Sequence, residues 1–154
     1  MSEKLQRTLN AECLERIGQE VVLDGWVSVV RAHGKIAFID LRDRTGVMQI
    51  GAFEGSLPSD FAKLGSQDVV KITGIVKARG EKYVNKNSIH GTIKIEAKGL
   101  EVIQKSHEMP FDMGGKDLNL ELPTLLDNRG LTLRHPKVAA IFKVQETVID
   151  AFRK

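Results

Sequence analysis

From Val21 to Val102 the chain runs through five stretches rich in β-branched residues, each bounded by turn composition, with no alternation of helix and strand periods. The first, Val21–Val30, contains Gly25 where a strand would bend sharply. A turn at His33-Gly34-Lys35 leads into a second strand, Ile36–Leu41. Arg42-Asp43-Arg44-Thr45-Gly46 has hairpin-turn composition, and Val47-Met48-Gln49-Ile50 begins a third strand. Pro58–Leu64 reads as one or two helical turns. Asp68–Ala78 is a fourth strand with its own internal glycine, Gly74. In Thr92–Val102, the fifth, Ile93, Ile95 and Ala97 alternate with Lys94, Glu96 and Lys98. Five short strands, a small helix between the third and fourth, and glycines at the bends describe an all-β, five-stranded Greek-key barrel, the OB-fold. A parallel sheet would need helices between its strands, and they are missing.

Flanking segments divide the chain further. Asn10–Ile17 reads as a short helix capped by Asn10 and stopped at Gly18. Residues 105–134 show weak periodicity, Pro110, Pro123 and the turn-like Met113-Gly114-Gly115-Lys116, the composition of a hinge or linker with little core of its own. Pro136 suits a first helical position, and Val138, Ile141, Phe142, Gln145, Val148, Ile149 and Phe152 follow at helical spacing. That amphipathic helix ends in mid-pattern, as where a chain has been cut. The expected division is a barrel over 1–104, a linker over 105–134 and a truncated helix over 135–154.

At 154 residues the chain suffices for one domain with an appendage. Its 23 Lys+Arg against 20 Asp+Glu give a mild lean toward polyanionic partners, which a merely solvated surface would also explain. One cysteine, Cys13, rules out an internal disulfide framework and suits a reducing compartment. The N-terminus is polar and carries acid, unlike a signal or transit peptide, and no apolar run approaches the ~18 residues of a membrane span. A cytoplasmic protein without membrane contact is the expectation.

The four histidines, His33, His90, His107 and His135, lie far apart without metal-ligand spacing, and Gly114-Gly115-Lys116 is a turn with a lysine rather than a phosphate loop. No catalytic or metal-binding residue and no bound cofactor is expected of this chain. The binding signal lies on the first three strands: Arg31, Lys35, Phe38, Arg42, Arg44 and Gln49 set cations, an aromatic ring and a long amide on the face an OB-fold uses for oligonucleotides. Cations hold phosphates, a ring stacks on an unpaired base, and an amide reads a Watson–Crick edge. On composition alone, though, Phe38 belongs to the core, Gln49 is an ordinary exposed strand residue, and Arg42-Asp43-Arg44 is a solvated turn.

Leu23-Asp24-Gly25-Trp26-Val27 followed by Arg31 through Gln49 resembles the anticodon-binding barrel of class II aspartyl-, asparaginyl- and lysyl-tRNA synthetases. The similarity continues through Gly74–Asn85, Gly91–Glu96 and Leu100–Ile103. Asp127–Arg134 is similar to the hinge of these enzymes, and Pro136–Lys154 to the start of their first class motif, which builds the dimer interface. Phe38–Arg44 and Glu81–Asn85 are most like the aspartyl member. The resemblance implies that Phe38 stacks on an anticodon base and Gln49 reads the central uridine. It also implies that Arg31 and Arg79 contact the anticodon loop, and that Tyr83 reaches the third base. Gly51 departs from the aromatic many relatives carry there, leaving Phe53 to supply a second ring; Lys94 stands where bacterial relatives can have an acid. The implied whole is the N-terminal part of an aspartate–tRNA ligase, a homodimer using ATP and Mg²⁺ through residues outside this chain, which alone would be inactive. An asparaginyl or non-discriminating synthetase fragment, or a free-standing OB-fold module for nucleic acid or protein, are the alternatives.

Overall fold

A computed structural model of the chain describes residues 6–33, 36–53, 61–86, 88–113, 115 and 117–154. Its five strands are β1 (Glu20–His33), β2 (Ile36–Asp43), β3 (Gly46–Phe53), β4 (Val69–Ala78) and β5 (Ile93–Gln104). They close into a barrel in the order β1-β2-β3-β5-β4, antiparallel except where β3 meets β5. Val21, Leu23, Val27, Ile39, Leu41, Met48, Ile50, Val70, Ile72, Val76, Ile93 and Ile95 fill the interior. Each strand contributes alternate residues because successive side chains point to opposite faces.

Closure depends on β1 serving two neighbours. Glu20–Trp26 pairs with β4, Trp26–His33 pairs with β2, and a bulge between Val27 and Val29 turns the strand from one to the other. The glycines sit where backbones press together. A Cβ on Gly25 would lie 2.5 Å from the Arg42 carbonyl oxygen, and one on Gly74 equally close to that of Glu96.

The N-terminal helix is a 3-10 turn, Asn10–Glu15, and Asn10 is its first residue rather than its cap. The Asn10 amide is buried, where its Nδ2 donates to the carbonyls of Leu41 (3.1 Å) and Gly46 (3.0 Å). Burial makes these bonds worth more than a solvent-facing cap. Its backbone N–H donates to Asp43 Oδ2 at 2.8 Å, and Asp43 Oδ1 accepts from Thr45 N, Thr45 Oγ1 and Gly46 N. Arg42-Asp43-Arg44 is therefore no solvated turn: Asp43 is 7% exposed and organises the β2–β3 hairpin. Cys13 packs in the core, and burial, with the nearby Asp43 charge, pushes its thiol up to about 11. Of the turns expected around Pro58–Leu64, Phe61–Lys63 is a 3-10 turn; the remainder of that stretch up to Asp60 lies outside the described residues, as do Gly34 and Lys35.

The chain divides into two compact units, 1–108 and 109–154. In the second, the stretch expected to be a hinge or linker with little core of its own carries α1 (Leu122–Asp127) and α2 (Arg129–Thr132). Thr132 is buried with its hydroxyl donating to the Leu125 carbonyl at 3.1 Å, and His135 is buried with Nε2 3.3 Å from the Gly115 carbonyl oxygen. Such contacts hold helices too short for sequence periodicity to reveal. α3 (Pro136–Arg153) begins at Pro136 as expected; Val138 is buried, while Ile141, Val144, Val148, Ile149 and Phe152 are exposed.

Asp68, 2% exposed on its side chain, fixes where the chain leaves the barrel. Its carboxylate accepts from Gly65 N, Lys105 Nζ (2.9 Å), Ser106 N (2.8 Å) and Ser106 Oγ. Burial alone would raise its pKa, but the hydrogen bonds from Ser106, Gly65 and Lys105 prevail and hold it below the ordinary 3.8. Asp68→Asn should cost about 1–3 kcal/mol of stability at neutral pH in urea titrations. Because the folded pKa is depressed, this contribution is complete above the unfolded value of 3.8 and fades as pH falls through the lower folded value. The deficit of the variant should shrink in that acidic window.

Candidate nucleic-acid interface

In β2 the even-numbered residues from Ile36 to Arg42 face outward and Ala37, Ile39, Leu41 and Asp43 face inward. Phe38 is thus half-buried on the outer surface and not in the core, contrary to the compositional reading. Cross-strand register aligns Arg31, Phe38 and Gly51 in one row and Val29, Asp40 and Gln49 in the next. Arg31, Phe38 and Gln49 share one face.

Arg31 does not stand free. Its Nη2 donates to both oxygens of Asp40, at 2.7 and 2.8 Å. At half exposure such a pair adds little stability, but it fixes the guanidinium beside the Phe38 ring. Asp40 also acts on Arg79: partial burial lowers the Arg79 pKa, and the Asp40 charge opposes that by favouring the charged guanidinium. Arg79 Nε donates to the Ile93 carbonyl (2.9 Å) and Nη1 to the Tyr83 carbonyl (3.3 Å), which folds the β4–β5 connection against the barrel. Tyr83 ends a 3-10 turn, Glu81–Tyr83, and is 76% exposed; its backbone carbonyl is held by Arg79. Gln49 is half-buried, and among the described residues none hydrogen-bonds to its amide. The five expected residues thus form a contiguous group of three, with Arg79 joined through Asp40 and Tyr83 at the periphery.

Asp40 was missed as a site residue, although its parity with Phe38 in an alternating strand assigns it the same face. Gly51 and Phe53 complete the surface. A Cβ at Gly51 would lie 3.5 Å from Phe38 Cε1 and 3.7 Å from Phe53 Cε2, so this glycine lies by both rings and puts no side chain of its own between them. Lys94 extends from β5 with Nζ 5.3 Å from the Phe53 ring centroid. Of the other cations, Arg42 bonds Gln67 Oε1 at 3.1 Å and Arg44 is exposed in the hairpin turn. Among the described residues no three His, Cys, Asp or Glu side chains are grouped to hold a metal ion, and no helix is long and apolar enough to cross a membrane.

A ring beside an unbonded amide and a fixed guanidinium, on the outer face of a five-stranded barrel, matches the chemistry of a single-stranded nucleic-acid platform. Residues 21–103 match the tRNA anti-codon family model, described as an OB-fold nucleic acid binding domain. The chain belongs to this family. The chain is 36% identical over 148 residues to the aspartate–tRNA(Asp/Asn) ligase of Streptococcus mutans, spanning 91% of this chain and 24% of that protein. It is 41% identical over 144 residues to the aspartate–tRNA(Asp/Asn) ligase of Methanocaldococcus jannaschii, spanning 90% of this chain and 31% of that protein. Among solved structures, the asparaginyl-tRNA synthetase of Pyrococcus horikoshii complexed with asparaginyl-adenylate superposes with a TM-score of 0.79 at 31% identity, over 97% of this chain and 34% of that one. The OB-fold chain spans a third or less of the length of these two curated relatives.

Gly51→Leu tests the surface without touching its polar groups. A Cβ at this position makes ordinary contacts with both rings, so the barrel should still fold, which circular dichroism checks, while the larger side chain stands between Phe38 and Phe53 or displaces one of them. Single-stranded RNA binding, followed by fluorescence anisotropy, should weaken by about 1–3 kcal/mol, the worth of one stacked base. Unchanged affinity would remove the two rings from the interface.

Proposed function

We propose that this domain reads the anticodon of a tRNA as the front part of an aspartate–tRNA ligase. The observation that carries the reading is the Gln49 amide, unbonded among the described residues and one cross-strand row from Phe38, in a barrel of the anticodon-binding family. An amide offers one acceptor and two donors on a planar fork, which suits the edge of a base whose face is stacked on a neighbouring ring. In this reading Phe38 supplies the stacking ring and Gln49 reads the central uridine. Arg31, held by Asp40, and Arg79 contact the loop backbone, and Tyr83 extends toward the third base.

The names of the S. mutans and M. jannaschii relatives favour a second reading within the same class, a ligase that serves both tRNA(Asp) and tRNA(Asn). The apolar row Ile141, Val144, Val148, Ile149 and Phe152 on α3 supports a homodimeric whole. Ligation needs ATP and Mg²⁺, and among the described residues of this chain no three His, Cys, Asp or Glu side chains are grouped to hold the metal. The cytoplasm is where such an enzyme meets its tRNA.

Titration of the chain against tRNA transcripts differing at single anticodon positions tests the reading. The cognate should exceed a transcript lacking the central uridine by about 1–3 kcal/mol, and Gln49→Ala should abolish that gap. Equal binding of both transcripts by the unsubstituted chain would defeat it. The 154-residue chain alone should catalyse no aspartate-dependent ATP–pyrophosphate exchange; measurable exchange would overturn the division of labour.

A further inference from the structure

Outward lysines on the β4–β5 ladder meet two different situations. Lys71 lies directly opposite Glu101, with Nζ 3.2 Å from Oε2, and Lys98 reaches Glu20 at 3.5 Å. Lys77, by contrast, lies directly opposite Lys94. Both occupy outward positions, between the buried Val76 on one strand and the buried Ile93 and Ile95 on the other. Among the described residues no carboxylate pairs with either lysine; Lys94 has instead its contact with the Phe53 ring. Like charges directly opposite across an antiparallel pair destabilise it. Elsewhere on the outer face Lys71 and Lys98 each meet an acid, whereas Glu96, outward on β5 and opposite Ile75, pairs with neither Lys77 nor Lys94 among the described residues, which leaves these two ammonium groups open to an anion from outside.

Its position says which anion. Ile95 pairs with Ile50, so Lys94 enters the outer face at the level of Gln49, and its ammonium reaches the Phe53 ring beside Gly51. We propose that Lys77 and Lys94 together clamp one phosphodiester of the single-stranded RNA whose base stacks on Phe38. An ammonium is a compact, donor-only charge with no planar fork to match a base edge, and two of them side by side suit a shared anionic oxygen. The clamp deepens the anticodon reading and rests on the single-stranded RNA face which that reading assigns. It adds affinity and register without sequence information.

The test is equilibrium binding of the chain to an anticodon stem-loop and to an oligouridylate over a series of salt concentrations. The double variant Lys77→Gln/Lys94→Gln should reduce the slope of log K against log salt by about 0.7, the value for one phosphate of a single strand, with each single variant giving less. The loss should be the same for every loop sequence. Lys77→Glu, which would face Lys94 as Glu101 faces Lys71, should raise the thermal midpoint by about 1–4 °C while weakening RNA binding. An unchanged slope would overturn the clamp. So would a loss twice as large, which puts the lysines on separate phosphates, or altered discrimination at one anticodon position, which makes Lys94 a base reader. If the unsubstituted chain fails to discriminate anticodons yet the oligouridylate slope still falls with the lysines removed, the anticodon reading fails and the clamp stands. Intact discrimination with an unchanged slope sinks the clamp alone.

Discussion

Everything on the binding face depends on one strand pairing with two neighbours. Trp26 is the shared residue of β1, opposite Val69 of β4 and Arg42 of β2, and the bulge beyond it swings the strand from one partner to the other. Gly25 makes the bend possible by letting the Arg42 carbonyl approach where a Cβ would stand. Closing the sheet removes its edges and forces a strict division between interior and exterior along β2 and β3. Phe38 and Gln49 then fall outside, and Ile39 and Ile50 inside, because a shift of one residue would bury a carboxylate, Asp40, in place of an aliphatic core.

On that exterior face, charge is organised before any ligand arrives. Asp40 grips Arg31 with both oxygens and favours the charged state of Arg79, so two cations share one acid. Guanidinium groups fixed in this way lose less freedom on meeting a phosphate than mobile ones would. Gly51 contributes by absence, since any longer side chain there would occupy the space beside both rings. The interface is therefore a surface with one half-buried ring, one ring capped by an ammonium, and an amide left to bond.

How much of this was legible in the sequence differs by element. The five strands were, because alternation such as Ile93, Ile95 and Ala97 against Lys94, Glu96 and Lys98 survives folding intact. The facing of Phe38 was harder, since Ile36-Ala37-Phe38-Ile39 is apolar on both parities; only Asp40 and Arg42, further along, reveal which is outside. Asn10 looked like a cap because a local partner is the simplest assumption, yet its bonds go to Leu41 and Gly46, more than thirty residues away. Asp68 and Ser106 are equally distant and carry no joint signature. α1 and α2 escaped notice because they are short and held by contacts such as that of Thr132 with Leu125. The comparisons with known proteins bear out the fold and family, while the roles of Arg31, Phe38, Gln49, Arg79 and Tyr83 rest on placement and resemblance.

Whether the β1–β3 face meets the anticodon is decided by mapping which backbone amides respond when an anticodon stem-loop is titrated into the ¹⁵N-labelled chain. Shifts should cluster at Arg31, Phe38, Gln49, Gly51 and Phe53, extend to Lys77, Arg79 and Lys94, and leave Leu14, Ile17 and the outer half of α3 silent. A cluster on α3 or around Leu14, with the β1–β3 face unmoved, would contradict that contact.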